Sequence, residues 1–284
     1  ENQINNALRY KQLRGAGIDI ARLESIKPSV SIEYKELTED GEKDTNASAA
    51  YAISFAAAIL IYICLFIYGA QVMRGIIEEK TSRIVEVIIS SVKPFQLMLG
   101  KIIGIGLVGL TQFLLWIILS SLATKFTDSE LLPNNILSAI QTIPVGYVLV
   151  TFLIYFLGGY LLYSALFAAV GSAVDNETET QQFMFPITLP LLFTYIMAFS
   201  FIVNNPNSTL SIWLSMIPFT SPIAMMVRIP FGVPDWQLYL SVVLLIAGFI
   251  FTTWVASRIY RVGILMYGKK TSYRELVKWF MYKE

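Results

Sequence analysis

The residues that can do chemistry in this chain gather in a few short polar stretches. The first is Arg74-Gly-Ile-Ile-Glu-Glu-Lys-Thr-Ser-Arg-Ile-Val-Glu-Val-Ile-Ile-Ser-Ser-Val-Lys93. Glu79 stands four residues before Arg83, the favourable order for an exposed helical pair, and Glu86 stands three beyond it. Ile77, Ile84 and Ile88 fall on one helical stripe with Val85 and Val92 beside it, and Pro94 limits the helix. The spacing predicts one amphipathic helix over 74–93. Such a helix either lies on lipid or docks a soluble partner. Three acidic residues among four basic ones favour docking, because a pure lipid anchor is more basic. The second stretch is the acidic turn Asp175-Asn-Glu-Thr-Glu-Thr-Gln-Gln182. It reads either as a solvated turn capping a helix that starts near Thr180, or as a second contact to the same partner.

Other chemistry is excluded. The chain has no histidine, so histidine acid–base catalysis, Ser-His triads and His metal sites are ruled out. Its one cysteine, Cys64, lies in an apolar run, so no intrachain disulfide or Cys-based zinc site can form. Gly263-x4-Gly268-Lys269-Lys270-Thr271 nearly spells a phosphate-binding loop. However, Lys270 stands where Ser or Thr is required, and no buried strand feeds it. It reads instead as a basic tail held to anionic lipid, followed by an interfacial helix with Leu276, Trp279 and Phe280 on one face. We expect no catalytic residue, cofactor, metal site or nucleic-acid partner.

The elements that must position these stretches are membrane helices. Of 284 residues, 55% are hydrophobic and only 14% charged, against roughly 25% charge in soluble chains. Five uncharged runs stand out: 45–73, 102–124, 131–174, 180–227 and 236–257. A bilayer core of roughly 30 Å needs about 20 apolar residues, so every run is long enough. The expected fold is an all-α polytopic membrane protein with five transmembrane helices, about 49–73, 97–122, 145–170, 183–203 and 238–259. The fourth span is expected to be broken by Pro186 and Pro190. The segment 204–237 holds five prolines and reads as interfacial or re-entrant helices, with a sixth crossing at 210–226 as the alternative. Gly100 and Gly104 favour intrachain helix packing over a dimer seam. Gly158-Gly159 allows bending or close packing. Thr111 and Gln112 at mid-span favour helix-to-helix hydrogen bonding. The Tyr155, Phe156, Tyr160 and Tyr163 cluster reads as packing. No Asp, Glu, Lys or Arg lies deep in a span, which argues against an ion-coupled transporter and an intramembrane enzyme.

Basic residues set the orientation. Residues 74–101 hold five Lys/Arg and the tail 258–284 holds seven, while the opposite short connections hold only Lys125 and Arg228. The positive-inside rule places 74–101 and the tail 263–284 in the cytoplasm. Residues 1–48 are then extracytoplasmic. They carry seven basic and nine acidic residues and few large apolar ones. A short helix near Asn5–Gly15, a strand at Val30–Tyr34 and an acidic linker over Leu37–Thr45 make a small α+β remnant, the end of a larger soluble domain.

The run EEKTSRIVEVIISSVKPFQLMLGK resembles the segment after the soluble domain in permease subunits of ABC-type exporters, the group with sodium-efflux and drug-efflux permeases. LLYSALFAAVGSAVDNETETQQ and MIPFTSPIAMMVR are similar to two further segments of that group. The resemblance covers about residues 49–262. It implies that Arg74, Glu78, Glu79, Lys80, Arg83 and Glu86 lie on a coupling helix for an ATP-binding-cassette ATPase subunit, with Glu179, Gln181 and Gln182 as a second cytoplasmic contact. It also implies a second permease copy and surrounding membrane lipid as partners. The reading is a permease coupling ATP hydrolysis on a separate subunit to efflux of an ion such as sodium, a drug, a lipid or a peptide. The alternative is a membrane-anchored sensor or assembly protein with an extracytoplasmic ligand-binding domain.

Overall fold

The computed structural model describes residues 35–38, 41–44, 47–126, 145–175, 177–267 and 272–281. The expected helix at 5–15, the strand at 30–34 and the basic run Lys269-Lys270 lie outside the described residues. The chain divides into two units, Glu1–Thr45 and Asn46–Glu284. In the first unit, the stretch expected as a linker forms an antiparallel hairpin. Strand β1 (Lys35–Thr38) pairs with β2 (Gly41–Asp44), with Thr38 opposite Gly41.

The second unit is helical: α1 (Ala47–Thr81), α2 (Ile84–Ile89), α3 (Pro94–Phe126), α4 (Val145–Ala173), α5 (Glu177–Met197), α6 (Thr209–Met216), α7 (Ser221–Arg228), α8 (Asp235–Gly263) and α9 (Tyr273–Met281). Five of these are long and apolar enough to cross a membrane: α1, α3, α4, α5 extended by a π-helical turn (Ala198–Ile202), and α8. This is the expected all-α polytopic fold. The segment between α5 and α8 contributes two eight-residue helices, α6 and α7, each about 12 Å long and too short to span. Every residue of α7 is buried, so its broken backbone is enclosed by protein, as a re-entrant segment requires.

The central helix is α4. Of its apolar window 67% is buried, against 22% for α3, α5 and α8. Its tyrosines explain this position. The Tyr160 hydroxyl donates to the Ile102 carbonyl of α3 at 2.7 Å. The Tyr163 hydroxyl donates to the Phe219 carbonyl, between α6 and α7, at 2.6 Å. Each ring fills apolar space while its hydroxyl satisfies a neighbour, so the aromatic cluster packs as expected. Gly158 and Gly159 serve close packing: a Cβ there would stand 2.7 Å from Leu245 and 2.8 Å from Pro222. Of the mid-span pair, Gln112 behaves as expected, its amide oxygen accepting from the Tyr68 hydroxyl at 2.8 Å, whereas the Thr111 hydroxyl donates to the Leu107 carbonyl of its own helix at 2.8 Å.

Two packing expectations fail. The helix α5 runs unbroken through Pro186 and Pro190; the irregularity comes later, where the Val203 amide donates to the Ala198 carbonyl five residues back. A proline inside a helix removes one backbone donor, and here the neighbouring turns carry the helix on. Gly100 and Gly104 have open space where a Cβ would stand, so they make no close contact with another described helix.

Candidate functional site

The helix α1 continues without a break as far as Thr81. There the chain turns sharply. The Ser82 amide donates to the Glu78 carbonyl and the Arg83 amide to the Lys80 carbonyl, both at 3.0 Å. Arg83 takes left-handed backbone angles, φ 57° and ψ 10°. A left-handed residue just after a helix satisfies orphaned carbonyls, and glycine usually fills that place. Arginine there costs about 1 kcal/mol. The single helix expected over 74–93 is therefore two: the end of α1, and the short α2. Lys93 then caps α3, its amide donating to the Gln96 side chain at 3.4 Å, with Pro94 at the first helical position.

The break rotates the apolar stripe. Ile84, expected on the buried side, is 53% exposed, and Val87 is 73% exposed. Val85 is the residue that turns inward and is fully buried. The expected Glu79–Arg83 pair also does not form, because the turn at Arg83 ends the helix between them. Glu79 instead pairs with Lys101 of α3 at 2.7 Å.

Lys80 was expected on the docking face. Its side chain is 1% exposed and points into the protein. The ammonium donates to the Ser172 carbonyl at 2.8 Å and the Val174 carbonyl at 3.4 Å, pairs with Asp175 at 2.9 Å, and stands 5.7 Å from the Tyr267 ring centre. These buried carbonyls lie at the negative C-terminal end of α4, where a cation is stabilising. Lys80 therefore joins the two polar stretches found in the sequence. Close backbone contact makes this possible. A Cβ on Gly171 would stand 2.9 Å from the Met73 carbonyl oxygen, and one on Gly263 would stand 3.0 Å from the Ser172 carbonyl oxygen. So α1, α4 and α8 converge beneath the junction. Burial and the Glu86 carboxylate push the hydroxyl of Tyr267, just beyond α8, above its ordinary pKa.

Arg74, Glu78, Arg83 and Glu86 are exposed, as are Gln181 and Gln182 at the start of α5. The Glu179 side chain lies outside the described residues. The model of the family described as ABC-2 family transporter protein matches residues 1–258. The chain belongs to this family. Its five long apolar helices fit a multi-pass membrane protein of that family. Among curated relatives, it is 28% identical over 262 residues to a Bacillus subtilis (strain 168) protein named "Uncharacterized protein YhaP", covering 92% of this chain and 62% of that protein. It is likewise 28% identical over 277 residues to "Uncharacterized protein MJ1024" of Methanocaldococcus jannaschii, covering 97% of this chain and 64% of that protein. The chain thus spans less than two thirds of the length of these relatives. No solved structure matches it.

On this ABC-2 chain, sequence reasoning missed Lys101, Tyr267 and Val87 as parts of the junction, and it placed Asp175 in the acidic turn without its ion pair to Lys80. Asp175 carried a signal: it is the first charge after an uncharged run of 44 residues, as Arg74 and Lys80 follow the first span. Val87 carried none, because its exposure depends on the turn at Arg83.

Proposed function

We propose that this ABC-2 chain is the permease of an ATP-driven exporter, and that 82–93 with the start of α5 receives a separate ATP-binding-cassette ATPase. The observation that carries this reading is the left-handed turn at Arg83. It ends the continuation of α1 and starts a short helix between two spans, on which Ile84 and Val87 are exposed, as are Glu78, Arg83 and Glu86 close by in the chain. Exposed aliphatic side chains inside a charged rim suit a protein interface, with an apolar centre and a polar edge. Gln181 and Gln182 at the start of α5 are exposed, and the Lys80–Asp175 ion pair joins the end of α1 to the chain shortly before them. A second permease copy completes the transporter, and the exported substrate is an ion such as sodium, a drug, a lipid or a peptide. The side with α2 is cytoplasmic, in keeping with its basic residues.

The docking helix is tested on full-length protein co-expressed with its candidate ATPase. Val87→Asp removes an exposed apolar side chain and adds a carboxylate to the centre of the face. It should insert and fold normally, because Val87 is 73% exposed. ATPase recovery on purification should fall at least tenfold. Recovery at the wild-type level would show that α2 contacts lipid instead.

A further inference from the structure

Two neighbouring residues fasten the end of α1 in different ways. Glu79 pairs with Lys101 of α3 at 2.7 Å, and both side chains keep some exposure. Such a pair is worth little in water. Lys80 is buried, while its partner Asp175 is 26% exposed. The Lys80 ammonium holds the Ser172 and Val174 carbonyls at the end of α4 as well as the Asp175 carboxylate. Lys80 stands one residue before the end of α1 and three before the turn at Arg83. A displacement of α2 therefore reaches this joint first. The helix it grips, α4, is the most buried of the five spans.

A buried ion pair adds little net stability, because desolvation offsets its attraction, yet breaking it is costly. What such a pair specifies is position. Contacts of 2.8 and 2.9 Å leave hydrogen-bond range after a shift of about 1 Å. A shift that stops there strands a charged ammonium out of water without its acceptors. The end of α1 thus has two good positions against α4. In one it is gripped, as seen. In the other it is displaced far enough for the ammonium to reach water beside the exposed edge of Asp175. A joint with two good positions and poor ones between them is a switch.

We propose that Lys80, Asp175 and the end of α4 form a latch that fixes the resting position of the turn at Arg83, and that closure of the docked ATPase on ATP releases it. The release rests on ATPase docking at 82–93; the latch belongs to this chain alone. Spin labels at Ser82→Cys and Gln181→Cys, both exposed positions, read the distance across the joint in full-length protein with Cys64→Ala. Purified without the ATPase, the protein with Lys80 in place should give one narrow distance. Lys80→Met keeps the stem and removes the charge, and it should give a second distance. Lys80→Arg should restore the narrow one. Asp175→Asn, at a partly exposed position, should shift the populations the same way, and it decides the matter if Lys80→Met does not fold. With the ATPase bound, ATP should move the Lys80 protein to the second distance and leave Lys80→Met where it already is. One unchanged narrow distance in the folded variants would overturn the latch, and a lower melting point beside it would mark the pair as a structural staple. A distance that ignores ATP with the ATPase bound would overturn the release. If the ATPase instead fails to co-purify, docking at 82–93 falls, and the comparison without ATPase still decides the latch.

Discussion

Arg228 holds three elements with one side chain. It is 1% exposed. Its Nε donates to the Pro206 carbonyl at 2.6 Å, one terminal nitrogen donates to the Ser215 hydroxyl of α6, and the other donates to the Gln237 amide oxygen of α8 at 2.7 Å. All three acceptors are neutral, and burial pulls the Arg228 pKa below its ordinary value. The guanidinium is worth its desolvation because its donors diverge in fixed directions, which an ammonium on a flexible stem cannot reproduce. Arg228→Met leaves several buried acceptors unpaired, at about 1–3 kcal/mol each. Arg228→Lys can keep only part of the set. Both variants should lower the thermal midpoint of the detergent-purified protein, Met more than Lys. A Lys variant melting with wild type would mean that charge alone matters there. The sequence marked Arg228 only as a charge in a short connection and as the last residue of a segment resembling a family pattern; Pro206, Ser215 of α6 and Gln237 of α8 are brought to it by connections that no local pattern specifies.

Among the helices, glycine has opposite consequences in α3 and α4. Gly171 sits where α4 meets the α1 backbone, and a methyl group there would strike the Met73 carbonyl oxygen. Backbone cannot yield as a flexible side chain does, so Gly171→Ala should destabilise by about 1–3 kcal/mol. Gly104 faces open space, and Gly104→Ala should stabilise the chain by up to about 1 kcal/mol through helix propensity alone. Comparing the melting points of the two variants checks both signs. The five spans were legible in the sequence because length and hydropathy alone specify them. The same holds for α6 and α7, whose prolines interrupt an apolar run. What was not legible is where helices are continued or stopped by contact. The helix α5 runs on through Pro186 and Pro190, and α1 ends at an arginine in a conformation that normally announces itself as glycine. Lys80 misled for a related reason. A lysine on a charged helical face reads as solvent-exposed until the end of another helix is found beside it.

At the scale of the whole molecule, the orientation can be tested directly. In a Cys64→Ala background, a membrane-impermeant thiol reagent added to intact cells should label Asn207→Cys, between α5 and α6, and leave Ser91→Cys untouched. Both positions are exposed within the chain, so burial does not mask the answer. Labelling of Ser91→Cys alone would invert the topology and move the docking face outside. If the docking face does lie inside, the length of α1 has a mechanical consequence. Its 35 residues make a rod of about 52 Å, well beyond a bilayer core of roughly 30 Å. The tight contact between Met73 and Gly171 is a natural fulcrum. On one side lies a short arm of about 12 Å, from residue 74 to 81; on the other, a long arm of about 36 Å, from residue 50 to 73. Such a lever trades force for travel. A push of about 1 Å at Thr81 becomes about 3 Å of swing at the far membrane surface, in the opposite direction. Spin labels should record this on ATP binding to the docked partner. The separation of Tyr51→Cys from Tyr147→Cys should change about three times as much as that of Ser82→Cys from Gln181→Cys. Equal changes at the two ends would mean that the rod slides instead of tilting.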